Sequence, residues 1–400
     1  MIVWYCLPVK EMVETVLKRA RVTDTRVPFP NQKIEEWDRE SWVAPHLDAV
    51  LLRARRGSGK RFRSRLVEMS ARLVLASRGE VLAGETLSCA ISNRVSEAGR
   101  AIEDIHLGSL VVDDIQDGSL IRRGEPALHR QVGVPLALNA GNWLYFSALK
   151  NLMRIPWSSV CECEAVDLAI DAMLLAHEGQ AVDLGVDITK VEDADVAEAV
   201  RASADRKTGA LVGAAFGLGF LAAHADGEFD RELYRAFQSF GKDWGVSLQM
   251  FDDLGSMGQS LSGLAPAEKL FEDLRNRRPC FFWTVVAGEL PRSRYPEARS
   301  VIDRFLDEIA SGPSEALSFD EITGWSSFQA FRQVLKQYRI LERGMEIATA
   351  RTEAAIEKLA DRFSVSESSQ VSLKSEFQEI GKISEDLSRA YLGCVEGGVV

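Results

Sequence analysis

Proline is missing from two long parts of the sequence, and this restricts the fold more than any other feature. None occurs between Pro156 and Pro266 or after Pro313, so long helices there meet no residue that breaks a backbone hydrogen-bond ladder. Apolar residues recur three and four positions apart over most of the chain, whereas alternating, strand-like segments are scarce. We predict an all-α protein in which residues 46–400 form a single helical domain and residues 1–45 an N-terminal arm.

Charge and apolar content narrow the range of partners. The net charge of −11 argues against nucleic acid and against an anionic membrane surface. The most apolar run, residues 211–223, is shorter than the roughly 20 residues that a transmembrane helix needs, so we expect no transmembrane segment.

The six cysteines include no CxxC pair, and the N-terminus lacks the basic start and long apolar stretch of a signal peptide. We therefore expect a cytoplasmic protein with reduced thiols.

The segment DDIQD carries the strongest chemical signal. On a helix, Asp113 and Asp117 lie on one face, with Asp114 beside them. Carboxylates crowded on an otherwise apolar helix repel one another, and their hard oxygen atoms suit Mg²⁺, which also accepts ligands from a substrate phosphate. The alternative is a solvated acidic helix end, but the apolar LVV before the cluster favours an inward-facing site. Arg122 and Arg123 follow closely and supply cations for phosphate oxygens.

A second acidic cluster lies on another apolar segment. Asp252 and Asp253 follow Gln249, but the fifth position of the cluster is Ser256 instead of an acid. Taken alone, this pair is equally compatible with an acidic helix end. Several basic residues lie elsewhere in the chain, each of which could equally belong to a solvated face: Lys60, Arg63, Lys207, Lys269 and Arg278. Together the two clusters and the bases suit an enzyme that handles one or two diphosphates.

These residues occur in motifs that resemble the trans-isoprenyl diphosphate synthases, the family of farnesyl and geranylgeranyl diphosphate synthases. The similarity is strongest to the geranylgeranyl branch and spans about residues 55–280. The matching segments, in the order of the family, are GKRFR (59–63), residues 105–149 around DDIQD, HEGQAVDL (177–184), RKTGAL (206–211) and LQMFDD (248–253). The resemblance implies a helical barrel of the isoprenoid synthase type, a homodimer, and three Mg²⁺ ions when substrate is bound.

The resemblance also implies a role for each matching residue. Metal ions that hold the allylic diphosphate would be bound by Asp113, Asp114, Asp117 and Asp252, with Asp253 in support. The same diphosphate would contact Arg122, Lys207, Lys269 and Arg278, the last standing where the family usually has a lysine. Isopentenyl diphosphate would be held by Lys60, Arg63, His106 and Arg123. Gln180, Gln249 and Thr208 would line the reacting centre.

The expected reaction is the condensation of isopentenyl diphosphate with an allylic diphosphate to give a longer trans-prenyl diphosphate. Product length would follow from the depth of the apolar tunnel below Asp113. The residues five and four positions before Asp113 are Gly108 and Ser109. Neither is an aromatic residue that would close the tunnel, which favours a C20 or somewhat longer product over C15.

Two other functions stay open on the same scaffold. Ser256 matches a serine in the second metal motif of class I terpene cyclases, although Ser260 stands where that motif has glutamate. The chain could therefore be a cyclase or another prenyltransferase that ionises an allylic diphosphate without elongating it. It could also be an inactive regulatory subunit. Elongation is favoured by the presence of all four basic residues of the isopentenyl diphosphate set, because a cyclase has no second diphosphate to bind: Lys60, Arg63, His106 and Arg123.

Overall fold

A computed structural model describes residues 43–56, 62–81, 85–224, 228–311, 318–363 and 367–396. Within these ranges the protein is built from helices and one two-stranded ribbon, which confirms the all-α prediction. Most of the predicted arm, residues 1–45, lies outside the described residues, so its boundary with the helical domain stays a prediction. In the described part of the chain, no helix combines the length and apolar character needed to cross a bilayer.

The helices and the two strands follow one another in this order along the described residues. A π-helical turn, Ala44–Asp48, leads into the first α-helices and the hairpin: α1 (Ala49–Arg56), α2 (Phe62–Ser77), α3 (Cys89–Gln116), β1 (Ile121–Arg122), β2 (Glu125–Pro126), α4 (Leu128–Val132), α5 (Val134–Leu152) and α6 (Ser159–Gly185). A 3₁₀ turn, Ile188–Lys190, precedes α7 (Asp193–Ala204), a second π-helical turn (Asp205–Gly209), α8 (Ala210–Ala222) and α9 (Arg231–Ser262). The 3₁₀ turn Ala267–Lys269 precedes the last group: α10 (Glu272–Arg275), α11 (Phe281–Glu289), α12 (Pro296–Ser311), α13 (Phe319–Thr323), α14 (Ser326–Gln337), α15 (Ile340–Ala360) and α16 (Glu367–Glu396).

Helix α8 is the centre of the largest core cluster, and every one of its residues is buried. It packs against α2, α6 and α9. Its glycines permit this close packing: a Cβ at Gly219 would lie 2.2 Å from the Val67 carbonyl oxygen of α2. Phe216 and Trp244 contact each other edge to face across the α8–α9 interface, with ring centroids 5.9 Å apart. The apolar run at 211–223 is therefore a core helix, as its length predicted.

A second core cluster lies among the C-terminal helices. It is rich in aromatic side chains, including Phe271, Phe282, Phe305 and Phe331. The rings of Phe305 and Phe331 stack with centroids 4.5 Å apart. This cluster supports the loop between α9 and α11, and that loop carries several of the polar residues of the cavity described below.

Candidate active site

The first acidic cluster lies at the C-terminal end of α3, where successive residues turn by about 100° around the helix axis. Asp113 and Asp117 therefore share a face and line a cavity. Asp114 does not line that cavity: it is 3% exposed and accepts a 2.8 Å hydrogen bond from Arg122 Nε. The structure thus separates the three acids into two that face the cavity and one that binds a neighbouring arginine.

The β1–β2 hairpin carries that arginine and its neighbour. Its two-residue turn has Arg123 at φ 55° and Gly124 at φ 82°, the left-handed pair that matches the twist of a two-residue hairpin. Arg122 is thereby directed back towards α3, where Nη2 also lies 3.3 Å from Asp113 Oδ2. Arg123 lines the cavity beside it. The pKa of Arg123 is lowered, first by burial and then by the charge of Arg122.

Lys207 reaches the first cluster from the π-helical turn between α7 and α8. Its Nζ lies 3.2 Å from Asp113 Oδ1 and 3.1 Å from Asp183 Oδ2. Burial opposes the charge of the ammonium group, but these two carboxylates outweigh it and raise the pKa of Lys207. Gln180, on α6, donates a further 2.8 Å hydrogen bond to Asp113 Oδ1. Asp113 thus contacts two cations, Arg122 and Lys207, and the Gln180 amide.

Arg278 neutralises the other cavity-facing acid of α3. Its Nη2 lies 2.7 Å from Asp117 Oδ1, and its Nη1 donates to the Asp183 carbonyl oxygen at 2.8 Å. The pKa of Asp117 is raised by burial and by the neighbouring charge of Asp113. Lys269 also lines the cavity and pairs with Glu272 at 2.6 Å.

The second cluster lies across the cavity on α9. Asp252 is exposed to it, whereas Asp253 has both carboxylate oxygens engaged. Asp253 accepts hydrogen bonds from Gln249 Nε2 at 2.7 Å and from the backbone N–H of Phe281 at 2.6 Å. Phe281 is the first residue of α11. Burial and the charge of Asp273 raise the pKa of Asp253 well above its usual value. Asp253 therefore anchors a helix N-terminus, and Asp252 is the acid of this cluster that lies open to the cavity.

Thr208 and Gln249 connect the π-helical turn to α9. Thr208 Oγ1 donates to Gln249 Oε1 at 2.6 Å, and both residues line the cavity. With the hydrogen bond from Gln249 to Asp253, this forms a chain of polar contacts along one wall. These two residues, predicted to line a reacting centre, lie next to each other between the two acidic clusters.

A separate basic group lies on the α2 and hairpin side. Arg63 and His106 line the cavity with Arg123. Burial lowers the pKa of Arg63 to about 10. Burial and then the charge of Arg63 lower the pKa of His106 well below 6.5, so its imidazole is neutral at pH 7. Lys60, the fourth predicted member of this group, lies outside the described residues.

The cavity that joins these groups has a volume of about 790 Å³. Its apolar part is formed by side chains of α3, α5, α6 and α8, including Ile105, Val112, Tyr145, Met173 and Leu211. Gly108 faces α5, because a Cβ there would lie 2.9 Å from the Gly141 carbonyl oxygen and 3.1 Å from Tyr145 Cε1. The space left open by Gly108 is thus occupied from the neighbouring helix by Tyr145.

Three residues that the sequence did not assign contribute to this site. Asp183 pairs with Lys207, Tyr145 lines the apolar part with its ring edge-on to His177, and Asp273 lines the cavity near α9. Burial and then the charge of Glu272 raise the pKa of Asp273 to about 7. Asp183 lies within the motif HEGQAVDL and Asp273 within the run EDLRNRRP. The sequence therefore showed that both residues are acidic, but not that their side chains point into the cavity.

The donor set can be compared with the requirements of Mg²⁺. Among the described residues, no three acidic, histidine or cysteine side chains converge closely enough to form a ready metal site. Mg²⁺ in nucleotide and phosphate enzymes is usually held by one or two carboxylates, with water and substrate oxygens completing the octahedron. Asp113 and Asp117 on one wall and Asp252 on the other supply carboxylates of this kind, so the residues fit ions shared with a diphosphate.

Comparison with proteins of known sequence is consistent with this arrangement. The chain is 30% identical over 254 residues to a geranylgeranyl diphosphate synthase of Sulfolobus acidocaldarius, a match that covers 62% of this chain and 72% of that protein. It is also 34% identical over 93 residues to a terpene synthase of Matsumurasca onukii, where the match covers 23% of this chain and only 29% of that protein.

A solved structure gives the same architecture. The geranylgeranyl pyrophosphate synthetase of Pyrococcus horikoshii superposes with a TM-score of 0.62 at 25% identity, covering 86% of this chain and 92% of that one. This confirms the isoprenoid synthase type of helical fold. The family model for polyprenyl synthetases matches residues 44–286, which contain both acidic clusters and the basic groups. The chain therefore belongs to the polyprenyl synthetase family, the trans-isoprenyl diphosphate synthases, whose members are prenyltransferases.

Proposed function

We propose that this chain is a Mg²⁺-dependent enzyme that condenses isopentenyl diphosphate with an allylic diphosphate. One observation carries the proposal: a single cavity contains two facing acidic clusters and, on its α2 and hairpin side, a separate basic group. The acids Asp113, Asp117 and Asp252 suit metal ions that bind one diphosphate. Arg63, His106 and Arg123 form a second anion-binding group, which a reaction with only one diphosphate would not need.

The cations around the first cluster support a role in binding the leaving group. Metal ions bound to Asp113 and Asp117 would compete with Lys207 and Arg278 for these carboxylates. Both cations would keep their contacts with Asp183 and would become available to diphosphate oxygens. The metal ions, proposed to be three, would supply Lewis acidity to the departing diphosphate. Fixed cations in a partly buried site stabilise the charge that develops there more strongly than water does.

The other side chains that line the cavity support the proposed reaction of the allylic carbocation. Thr208 and Gln249 present neutral oxygen atoms beside the place where positive charge develops on carbon, and neither is a strong nucleophile. The apolar walls exclude water that would otherwise capture the cation. The alkene of isopentenyl diphosphate then attacks the allylic carbon, and the proton lost from the adduct passes to the departing diphosphate. A neutral His106 donates a hydrogen bond to the second diphosphate without needing a proton from solvent.

We also propose a C20 product. Ser109 lines the cavity and is too small to block it, which supports a tunnel that extends past the first helical turn below Asp113. Tyr145, however, fills the space beside Gly108 from α5. Tyr145 would therefore limit the length of the product chain at the level of Gly108. Its ring would form the floor of the tunnel, which neither Gly108 nor Ser109 provides.

Ser256 lines the cavity, but the other position of the cyclase motif, Ser260, argues against the cyclase alternative. Ser260 is 2% exposed, and its Oγ accepts a 3.0 Å hydrogen bond from the Phe271 N–H. Phe271 itself is held at φ 51° at the start of α10. The hydroxyl of Ser260 is thus buried, hydrogen-bonded to a backbone N–H and outside the cavity lining, whereas a cyclase motif would need a metal ligand at this position.

A homodimer is proposed from the exposed apolar side chains of α5 and α6. Phe146 is 73% exposed and Leu174 58% exposed, and further exposed apolar residues on the same two helices include Leu136, Leu138, Ile170 and Leu175. We expect sedimentation equilibrium to give a dimer, and Phe146→Glu with Leu174→Glu to give a monomer. Leu264→Glu, at a 67% exposed position outside these helices, is the control and should stay dimeric. A wild-type monomer would contradict the proposal.

The cytoplasmic location of the protein stays a prediction.

Turnover tests the reaction itself. The metal-free protein is incubated with Mg²⁺, labelled isopentenyl diphosphate and either geranyl or farnesyl diphosphate, and the products are separated by chain length. Label in a longer diphosphate, abolished by EDTA, supports elongation. A hydrocarbon or alcohol formed without isopentenyl diphosphate would favour the cyclase, and no turnover of any allylic substrate would favour an inactive subunit. Asp113→Ala should lower turnover by about two orders of magnitude or more, whereas Asp167→Ala, exposed on α6, should not.

A further inference from the structure

A π-helical turn interrupts the otherwise continuous helix of α7 and α8. It spans Asp205–Gly209 and carries both Lys207 and Thr208. Single π-helical turns inside α-helices are rare and occur frequently at functional sites, because the extra residue changes the direction in which side chains point. Here the turn directs Lys207 to Asp113 and Asp183, and Thr208 to Gln249. The position of this turn therefore determines where a cation and a hydroxyl enter the cavity.

Helix α6 contacts the turn through a glycine. A Cβ added at Gly179 would lie 2.6 Å from the Lys207 backbone nitrogen, 2.9 Å from Arg206 Cβ and 3.0 Å from the Ser203 carbonyl oxygen. Two of these three atoms belong to the backbone, so no side-chain rotation relieves the overlap. Any larger residue at 179 must push α6 and the π-helical turn apart.

The turn has little space to move into. It also packs against α9, where a Cβ at Gly209 would lie 3.1 Å from the Lys242 carbonyl oxygen and 3.3 Å from Val246 Cγ2. On α6, Gln180 follows the glycine directly and Asp183 lies one helical turn further on. Gln180 donates to Asp113, which Lys207 also contacts, and Asp183 pairs with Lys207 itself. Displacement of the turn therefore alters the contacts of Lys207 directly.

We propose that Gly179 is a positioning residue for the reaction. It sets the separation between α6 and the π-helical turn, and through that separation it places the Lys207 ammonium group where it can bind the leaving diphosphate. The inference rests on the proposed function, because it assigns Lys207 to that diphosphate. A role of Gly179 in packing alone would not depend on the presence of the Lys207 charge.

A double-mutant cycle separates these two roles. Binding of inorganic pyrophosphate in the presence of Mg²⁺ is measured by calorimetry for the wild type, Gly179→Ala, Lys207→Met and the double variant. We expect Gly179→Ala to weaken binding about tenfold, the range of a lost hydrogen bond to a charged group, and to weaken it less than twofold in the Lys207→Met background. Gly185→Ala, on the same helix with no atom within 4 Å of the added Cβ, should bind like the wild type.

Two results of this cycle overturn the proposal. Equal losses in both backgrounds would assign Gly179 to packing alone, and an unaltered affinity in Gly179→Ala would remove its role. If Gly179→Ala does not fold, Gly209→Ala displaces the same turn by a few tenths of an ångström and should show the same dependence on Lys207; an unaltered affinity there would reject the idea. A wild type that binds pyrophosphate with this pattern but elongates no substrate would refute the proposed function alone. Absence of Mg²⁺-dependent pyrophosphate binding would refute both.

Discussion

Replacing Asp273 by asparagine should change how the stability of the metal-free protein depends on pH. In the folded protein the pKa of Asp273 is raised from 3.8 to about 7 by burial and by the charge of Glu272. Between these two values the folded state holds a proton that the unfolded chain has released. The free energy of unfolding therefore falls as the pH rises through this window, and the full loss is present above about pH 7.

The size of the effect follows from the shift. Each pKa unit corresponds to about 1.4 kcal/mol, so a shift of about three units gives an upper limit of about 4 kcal/mol. Asp273 is partly exposed to the cavity. Solvent screening therefore reduces the expected change in the free energy of unfolding to about 2 kcal/mol. Asp273→Asn carries no charge at any pH. We expect it to be more stable than the wild type at pH 8 by about this amount, with a smaller difference at pH 4.5.

Urea unfolding in EDTA at several pH values between 4.5 and 8 measures the change, with the slope m compared to ensure that the unfolded states are alike. Asp167→Asn, exposed on α6, is the matched control and should follow the wild type. Parallel curves for Asp273→Asn and the wild type would refute the reasoning, because the cavity would then impose no penalty on the Asp273 carboxylate. Mg²⁺ with pyrophosphate should reduce the difference, since bound cations relieve the repulsion among the acids.

Two further substitutions test other parts of the site. Tyr145→Ala removes about seven heavy atoms from the apolar end of the cavity, so the product should lengthen by at least one C5 unit, whereas Tyr145→Phe should keep the wild-type length; unchanged products from the alanine variant, analysed by chromatography, would exclude Tyr145 as the floor. Ser260→Ala leaves the buried Phe271 N–H without its acceptor and should lower the free energy of unfolding by about 1–3 kcal/mol, while the Mg²⁺ concentration needed for half-maximal turnover stays unchanged. A large rise in that concentration would instead support a metal-binding Ser260, as in a cyclase.

Local sequence patterns determined the helices and the composition of the site. A proline-free stretch with apolar residues three and four apart favours helices that pack through one face, and the fully buried α8 follows from its uniform apolar character. The four-residue spacing of Asp113 and Asp117 sets them about 40° apart around α3, so their common face was determined before any packing. The basic residues of the cavity were likewise recognisable as a set, because they occur in the order of a known family.

Only the tertiary structure decided which of these groups meet. Asp114 is about 100° from Asp113 on the same helix, and it became the partner of Arg122 because the hairpin folds back on that side. Asp253 was engaged by the N-terminus of α11, which lies 28 residues later in the chain. Tyr145, from α5, occupies the space that Gly108 leaves open on α3. Helical periodicity sets angles within one helix, but the neighbour that each face meets depends on how distant helices pack, and that information is not local to any motif.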